Sequence, residues 1–374
     1  MSRILFLVSS MEGGGAERVA ALLSNHWAKQ GHQVTLMPTF SGRGKCSYPL
    51  DERVQLDYLA DRVGSRSRSS LNKLRRLAAL RQIIRELTPD VIVSFLPHVN
   101  VAAIIAAQGL GVRVVVSERN YPPATPLGIV PERLRRWAYP RASTVVVQTQ
   151  QVSDWLAHCC PKAHSRVIAN PVVYPLPHGE PEVEPISVIS SKRRLALAVG
   201  RLHQQKGFDL LLIAFKTLAE HYPKWDLVIL GEGAERESLE RQRERLGLTK
   251  RVYLPCRVGN LSDWYMRAEL FVMSSRFEGF PNALAEAMAH GLPAVSFDCK
   301  TGPRDLIRNG VDGLLVAPEA GPKGLADAMA TLMRDDAQRQ RMTEAAKAVR
   351  ERFSMARISA KWDAVLELTR EDAS

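Results

Sequence analysis

The most constraining feature of the sequence is a strand that turns directly into a helix, within residues 270–289. An apolar run, Leu-Phe-Val-Met, is followed by a turn and then by an alanine-rich segment. Pro281 suits the first helical position, because the N–H that proline lacks would be unpaired there anyway. The amides of a first helical turn, with the helix dipole, favour an anion. The stretch Gly279-Phe280-Pro281-Asn282 is therefore predicted to bind a negatively charged group.

Two carboxylates flank this predicted anion site. Glu278 precedes it in the turn, and Glu286 lies inside the helix. A carboxylate is an acceptor of hydrogen bonds and suits the hydroxyl groups of a ligand better than its phosphate. The ligand is therefore expected to carry both phosphate and hydroxyls.

Length and charge narrow the class of protein. A chain of 374 residues suggests about two domains. The net charge of +12 favours an anionic partner, which could be nucleic acid, a lipid surface or a phosphorylated small molecule. The five cysteines include no CxxC pair, and no run of about 18 apolar residues occurs, so we expect a cytoplasmic protein with reduced thiols.

Apolar strands alternate with helices in both halves of the sequence. This alternation predicts an α/β protein with two doubly wound parallel sheets, which bind ligands at the carboxyl ends of their strands. A proline-rich stretch separates the halves and indicates a linker. We therefore expect a first domain at residues 1–174, a linker at 175–192, a second domain at 193–353 and a terminal helix within 354–374.

In the first half, a glycine loop and two ionisable residues follow predicted strands. Gly14 and Gly15 lie in the loop after the first strand, where glycine allows close approach of a ligand. A nicotinamide dinucleotide is rejected, because Arg18 stands where the third glycine of the fingerprint would be and no acidic residue ends the second strand. His98 and Glu118 follow two later strands and are candidates for catalysis.

Residues 62–85 are the most basic stretch of the sequence and predict a basic amphipathic helix that follows a loop rich in serine and arginine. Its leucines recur at helical spacing, while its polar face carries one sign of charge. Such a face suits an anionic bilayer surface or a lipid diphosphate. Nucleic acid is disfavoured, since no aromatic residues interleave the cations. The basic residues are Arg62, Arg66, Arg68, Lys73, Arg75, Arg76, Arg81 and Arg85.

In the second half, Arg201 and Lys206 lie in the loop after the first strand. Parallel strands bring this loop and the turn before Pro281 to the same edge of the sheet. Two cations and a helix start suit a diphosphate, and neutralising a departing diphosphate would need no metal ion. No Asp-rich metal motif is found in a suitable loop. The backbone near Val258 is expected to flank a nucleotide base.

Together these motifs resemble retaining glycosyltransferases of the family 4 type, which have the GT-B architecture. Glu278 and Glu286, with seven residues between them, match the E-x7-E pattern. The resemblance extends over nearly the whole chain. Two further motifs are similar to those of bacterial family members that build exopolysaccharide, O-antigen or lipid-linked oligosaccharides. The matching motifs are Gly14-Gly15-Ala16-Glu17, Gly200-Arg201 with Lys206-Gly207, Gly231-Glu232-Gly233 and Gly310-x-Asp312-Gly313, with Ser117-Glu118-Arg119-Asn120 and Gly302-Pro303-Arg304 as the bacterial pair.

The resemblance implies two Rossmann-like domains facing across a cleft, with the last helix crossing back to the first domain. It implies that Arg201 and Lys206 hold the donor diphosphate, Glu286 the ribose and Glu278 the donor sugar. Gly14 and Gly15 would lie under the donor phosphates or the acceptor. A histidine that some relatives use aligns with Phe95, three residues before His98.

The resemblance thus implies a metal-independent hexosyltransferase on the inner face of the plasma membrane. It would move a sugar from a nucleoside diphosphate, with UDP as the expected nucleotide, to a polyprenyl-diphosphate-linked saccharide. Two alternatives stay open: an epimerase or hydrolase of sugar nucleotides on the same fold, and a non-catalytic basic protein that binds membranes or nucleic acid.

Overall fold

Both halves of the chain form a fully parallel β-sheet covered by helices, as the α/β alternation predicted. The computed structural model of the chain describes residues 1–40, 44, 46–63 and 70–368. It divides into two units, one of Met1–Pro171 with Ala356–Ser374 and the other of Val172–Met355.

The first unit holds a seven-stranded sheet in the order β3-β2-β1-β4-β5-β6-β7. Its first strand lies inside the sheet between β2 and β4, so the crossovers leave β1 in opposite directions. This arrangement creates a switch point between β1 and β4. The elements are β1 (Arg3–Val8), α1 (Gly15–Lys29), β2 (Gln33–Pro38), β3 (Val54–Leu56), α2 (Leu59–Val63), α3 (Ser70–Leu87), β4 (Val91–Phe95), α4 (Pro97–Ala107), β5 (Arg113–Ser117), α5 (Ile129–Ala138), β6 (Thr144–Val147), α6 (Gln150–Cys159) and β7 (Ser165–Val167).

The strands of this sheet are apolar throughout because both faces are covered. On one face Leu5, Ile92 and Val114 pack with buried residues of α3 to α6. Burying both faces removes the need for a polar alternation, which explains the continuous apolar runs in the sequence.

The other face is closed by α16 (Met355–Leu366), near the end of the chain. Trp362 is fully buried against Trp27 of α1 and Phe95 of β4. The indole N–H of Trp27 donates to an Asp363 carboxylate oxygen at 2.9 Å. The last helix is thus a core element of the first unit, although about 200 residues separate it from the sheet in sequence.

The second unit repeats the plan with six strands in the order β10-β9-β8-β11-β12-β13. Its switch point lies between β8 and β11, which pair in parallel. The elements are α7 (Pro185–Val188), β8 (Arg194–Val199), α8 (Phe208–Ala219), β9 (Trp225–Leu230), α9 (Arg236–Arg245), β10 (Val252–Tyr253), α10 (Leu261–Arg267), β11 (Leu270–Met273), α11 (Asn282–Ala289), β12 (Ala294–Phe297), α12 (Pro303–Leu306), β13 (Gly313–Val316), α13 (Gly321–Arg334), α14 (Asp336–Ala346) and α15 (Val349–Arg352).

The stretch predicted as a linker is part of the second unit. The Val183 carbonyl accepts from the Trp264 indole at 2.9 Å, and the Val183 N–H donates to Asn260 at 3.0 Å. The Leu176 N–H donates to Ser262 at 3.1 Å. Because these backbone groups are bonded to α10 and to Asn260, the residue before it, the proline-rich stretch is an irregular segment that packs on the second unit.

Candidate active site

The predicted diphosphate loop and the predicted carboxylate turn meet at the switch point of the second sheet. Arg201 and Lys206 follow β8, and Glu278 follows β11, its direct neighbour. A small crevice opens between these two strand ends and the start of α11. Its lining includes Lys206, Ser274, Ser275 and Pro281.

Glycines allow the loops at this edge to touch. Gly231 has φ of +149°, and a Cβ there would lie 1.9 Å from the Gly200 carbonyl oxygen. A Cβ on Gly233 would lie 2.2 Å from the Leu202 carbonyl oxygen. The Leu202 N–H donates to the Glu232 carbonyl at 2.9 Å, which bonds the loop to the one after β9. The glycine motifs therefore act in packing, by holding the loop after β8 in place.

Lys206, which lines this crevice, forms an ion pair with Glu278. The Lys206 ammonium lies 2.7 Å from Glu278 Oε1, and the Ser275 hydroxyl donates to the same oxygen at 2.6 Å. Glu278 is buried, so its charge is stabilised by these two donors rather than by water. Ser275 was not predicted as a site residue, and only its position three residues before Glu278 marks it in the sequence.

The turn that carries Glu278 is held by Thr301 from the next crossover. The Thr301 hydroxyl donates to the Glu278 carbonyl at 2.7 Å, and Gln205 donates to the Phe277 carbonyl at 3.0 Å. Thr301 is 23 residues from Glu278, and no local pattern points to it. The backbone around Glu278 is therefore fixed from both sides.

Glu286 lies one helical turn inside α11 and is buried. The Tyr265 hydroxyl donates to Glu286 Oε2 at 3.3 Å. Tyr265 comes from α10 and was not predicted as a site residue. It positions the carboxylate that the resemblance assigns to a ribose.

The helix start differs by one residue from the expectation. Asn282, not Pro281, is the first residue of α11, and the Pro281 carbonyl accepts from the Ala285 N–H at 3.1 Å. Gly279 is buried, and Phe280 packs edge-on against Phe353 at 5.6 Å between ring centroids. The Phe280 side chain therefore belongs to the core, and only its backbone could serve a ligand.

The other two predicted donor contacts, Arg201 and Val258, lie in loops at the same edge of the sheet. Arg201 is exposed and follows β8 two residues after its end. Val258 is buried and follows β10, the outermost strand on that side. Their roles stay predictions.

In the first unit, the glycine loop after β1 is held by Tyr48. The Gly14 N–H donates to the Tyr48 hydroxyl at 2.9 Å, and that hydroxyl donates to the Gly14 carbonyl at 2.8 Å. Gly15 begins α1. The Gly14 amide thus has a protein partner here.

His98 and Glu118 have different partners. His98 Nε2 lies 3.3 Å from the Ser9 hydroxyl at the switch point between β1 and β4, and its ring packs on Phe40. Partial burial lowers the pKa of His98. Phe95 is buried in the core beneath the Arg119 guanidinium, 4.2 Å from the ring centroid.

Glu118 is fully buried and bonded to the protein interior. Its carboxylate accepts from the Tyr139 hydroxyl and from Arg135 of α5, the latter at 3.3 Å. Burial raises the pKa of the Glu118 carboxyl, and the Arg135 guanidinium opposes part of that rise. These contacts favour a structural role, in which Glu118 holds α5 on the sheet.

Several of the predicted basic residues at 62–85 serve internal contacts. Arg76 donates to the Thr39 carbonyl at 2.9 Å, Arg81 donates to the Ala106 carbonyl at 2.9 Å, and Arg62 pairs with Glu86 at 3.3 Å. Arg66 and Arg68 lie outside the described residues. The polar face is therefore not simply an array of solvated cations.

Among the residues that the structure describes, no helix is long and apolar enough to cross a membrane. The same residues contain no group of three or more His, Cys, Asp or Glu side chains that could hold a metal ion.

The two doubly wound parallel sheets of this chain have the GT-B architecture. In agreement, the crystal structure of Anabaena HepE in complex with UDP superposes with a TM-score of 0.81, at 21% identity, over 98% of this chain and 100% of that one. At this identity the likeness shows the fold.

Family models match both units. Residues 13–173 match Glycosyltransferase Family 4, and residues 180–349 match Glycosyl transferases group 1. The first half of the chain is therefore a Glycosyltransferase Family 4 domain, and the second half is a Glycosyl transferases group 1 domain.

Similar proteins include two bacterial ones whose names refer to saccharides. An exopolysaccharide phosphotransferase of Streptomyces coelicolor is 29% identical over 96% of this chain, but the chain spans only 40% of that protein. A Campylobacter jejuni enzyme that is named as adding α-1,4-N-acetyl-D-galactosamine to an undecaprenol-diphosphate-linked saccharide is 28% identical over 97% of both chains.

Proposed function

We propose that this glycosyltransferase moves a hexose or N-acetylhexosamine, with retention, from a nucleoside-diphosphate sugar to a lipid-linked saccharide. The observation that carries the proposal is the Lys206–Glu278 pair beside the start of α11. UDP is proposed as the nucleotide, in keeping with its presence in the HepE structure. The lipid-linked acceptor follows the printed name of the Campylobacter relative.

The two partners of the ion pair would contact the two groups joined by the bond that breaks, Lys206 the diphosphate and Glu278 the sugar. Lys206, with Arg201 from the same loop, would neutralise the diphosphate as the bond between the sugar C1 and the phosphate oxygen breaks. Glu278 would accept hydrogen bonds from the sugar hydroxyls, and Glu286 from the ribose. The acceptor hydroxyl forms the new bond to C1 on the same face and passes its proton to the leaving phosphate oxygen.

Metal independence is part of the proposal. The cations of the loop after β8 would supply the charge that a divalent ion supplies elsewhere. Turnover is then expected to continue in EDTA, and loss of turnover that is restored by Mg²⁺ would contradict this point.

The decisive experiment is a donor panel with lipid-linked saccharide acceptors and NMR analysis of the product linkage. We expect one UDP-sugar to be consumed only when acceptor is present, with the anomeric configuration retained. Equal donor turnover without any acceptor would favour the epimerase or hydrolase alternative. No turnover, combined with salt-sensitive vesicle or oligonucleotide binding that Glu278→Ala leaves intact, would favour the non-catalytic one.

A further inference from the structure

Helix α5 of the first unit is inverted relative to an ordinary surface helix. Surface helices bury an apolar stripe and expose charges. In α5 the buried side chains are Arg135 and Ala138, whereas its large apolar residues face outward. Exposed fractions are 74% for Ile129, 66% for Val130, 42% for Leu134 and 40% for Trp137.

These four residues form one continuous surface, here named the α5 apolar face. At about 100° per residue, Ile129, Trp137, Val130 and Leu134 fall within an arc of about 140°, which also holds the exposed Arg133. Arg135 points away from this arc, toward the protein. Ile129 and Val130 stand at the end of α5 that follows β5, on the side where such sheets bind ligands.

The buried face explains how the inversion is stable. Arg135 lies 3.3 Å from Glu118, bonds to Glu132 and sits 4.7 Å above the centroid of the Trp155 ring. A buried guanidinium with these partners has its charge compensated. The helix is therefore anchored by polar contacts, which leaves its apolar residues unused by the core.

The charge around the α5 apolar face is positive. Arg133 and Arg136 are exposed on the helix, and Arg141 stacks on Trp137 at 4.2 Å from the ring centroid. Within Ile129–Ala138, all of which the structure describes, the one acidic residue is Glu132, and it bonds to Arg135 and Arg136. Apolar side chains and tryptophan with arginines among and beside them are the composition of helices that lie in the headgroup region of a bilayer.

We propose that the α5 apolar face inserts into the surface of an anionic membrane and places the first unit against the bilayer that carries the acceptor. The inference deepens the proposed function, on which it rests for the lipid-linked acceptor. It assigns the apolar contact to α5, a surface distinct from the basic residues at 62–85.

The size and composition of the surface favour a membrane over a second protein chain. A stable dimer buries about 800 Å² from each partner, contributed by some 20 to 30 residues. The α5 apolar face comprises four side chains on one short helix, and the arginines around it match anionic headgroups rather than an identical copy of themselves.

The test is flotation of the full-length protein with vesicles of phosphatidylglycerol and phosphatidylcholine. Ile129→Gln with Val130→Gln is expected to lower the vesicle partition coefficient by at least about tenfold. The matched control is Ile186→Gln with Met266→Gln, which alters residues of similar exposure, 67% and 65%, in the second unit. That control is expected to float like the wild type. Arg133→Gln with Arg136→Gln is expected to weaken binding to anionic vesicles and to make it less sensitive to salt.

Two further measurements separate the possible failures. With a detergent-dispersed acceptor, the Ile129/Val130 variant is expected to keep wild-type turnover, so loss of flotation is independent of the proposed reaction. Unchanged flotation of this variant, or a loss seen only in Lys73→Glu with Arg75→Glu, would overturn the proposal. A wild-type dimer in sedimentation that the Ile129/Val130 change dissociates would also overturn it, in favour of contact between copies.

Discussion

Replacing Lys206 by alanine tests the core of the candidate site. The substitution removes the ammonium 2.7 Å from Glu278 and leaves that buried carboxylate with the Ser275 hydroxyl as its remaining side-chain donor in the described contacts. A charge-assisted hydrogen bond contributes about 1.5–3 kcal/mol. Because Lys206 is partly exposed, solvent screening reduces this, and we expect a loss of about 1–2 kcal/mol in the free energy of unfolding.

The expected loss of activity is larger than the loss of stability. Removing one group that stabilises a developing anion typically lowers kcat by about 10²–10³-fold. Initial rates of sugar transfer at saturating donor and acceptor would measure this, beside urea unfolding of the same preparation. Lys216→Ala is the matched control: its ammonium pairs with Glu220 at 3.3 Å on an exposed helix face, so both quantities should stay near wild type.

A double-mutant cycle isolates the pair. In the Lys206→Ala background Glu278→Gln removes a stranded buried charge, so it should restore part of the lost stability, whereas in the wild type it should destabilise. Activity should stay low in the double variant. Wild-type kcat in Lys206→Ala, or equal effects of Glu278→Gln in both backgrounds, would refute the reasoning.

Three other perturbations test the frame around the site. Arg135→Met leaves the Glu118 carboxylate buried without its cation and should lower the free energy of unfolding by about 3–5 kcal/mol. The control Arg136→Met, on the exposed face of α5, should lower it little. Equal melting temperatures for the two variants would contradict the anchoring of α5. Gly231→Ala places a Cβ 1.9 Å from the Gly200 carbonyl oxygen and should lower both stability and transfer activity. The control Gly247→Ala has a positive φ but open space around its Cβ, so it should lower the free energy of unfolding in urea by only about 1 kcal/mol. Burial alone would raise the pKa of Asp363, but the hydrogen bond from Trp27 at 2.9 Å and the His26 imidazole 3.9 Å away outweigh burial and lower that pKa. The contribution of Asp363 to stability should therefore be present above about pH 4 and be lost at lower pH. The urea midpoints of wild type and Asp363→Asn should converge on acidification, and a constant difference would exclude the effect.

The plan of both sheets could be predicted from local sequence. Continuous apolar runs of four to six residues, separated by helical segments, require parallel strands covered on both faces. Parallel strands also bring their carboxyl ends to one edge, which is why Lys206 and Glu278 could be expected near each other across 72 residues of sequence.

What local patterns could not supply is the partner of each polar side chain. The stretch before β8 reads as a linker by composition, yet Trp264 and Asn260 bond its backbone to α10. Glu118 reads as a candidate catalytic group at a strand end, yet Arg135 and Tyr139 enclose it.

The sequence by itself determined the fold class and the residue types present at the strand ends, while the strand order placed two of those ends at each switch point. Periodicity and turn residues act over a few positions, so they encode elements and edges. Only the tertiary structure decided that Thr301 holds the Glu278 turn, that Trp362 closes the first unit and that α5 faces its apolar residues outward. These features depend on contacts between residues distant in the chain, and the burial of a charged group such as Arg135 is possible only because folding brings Glu118 beside it.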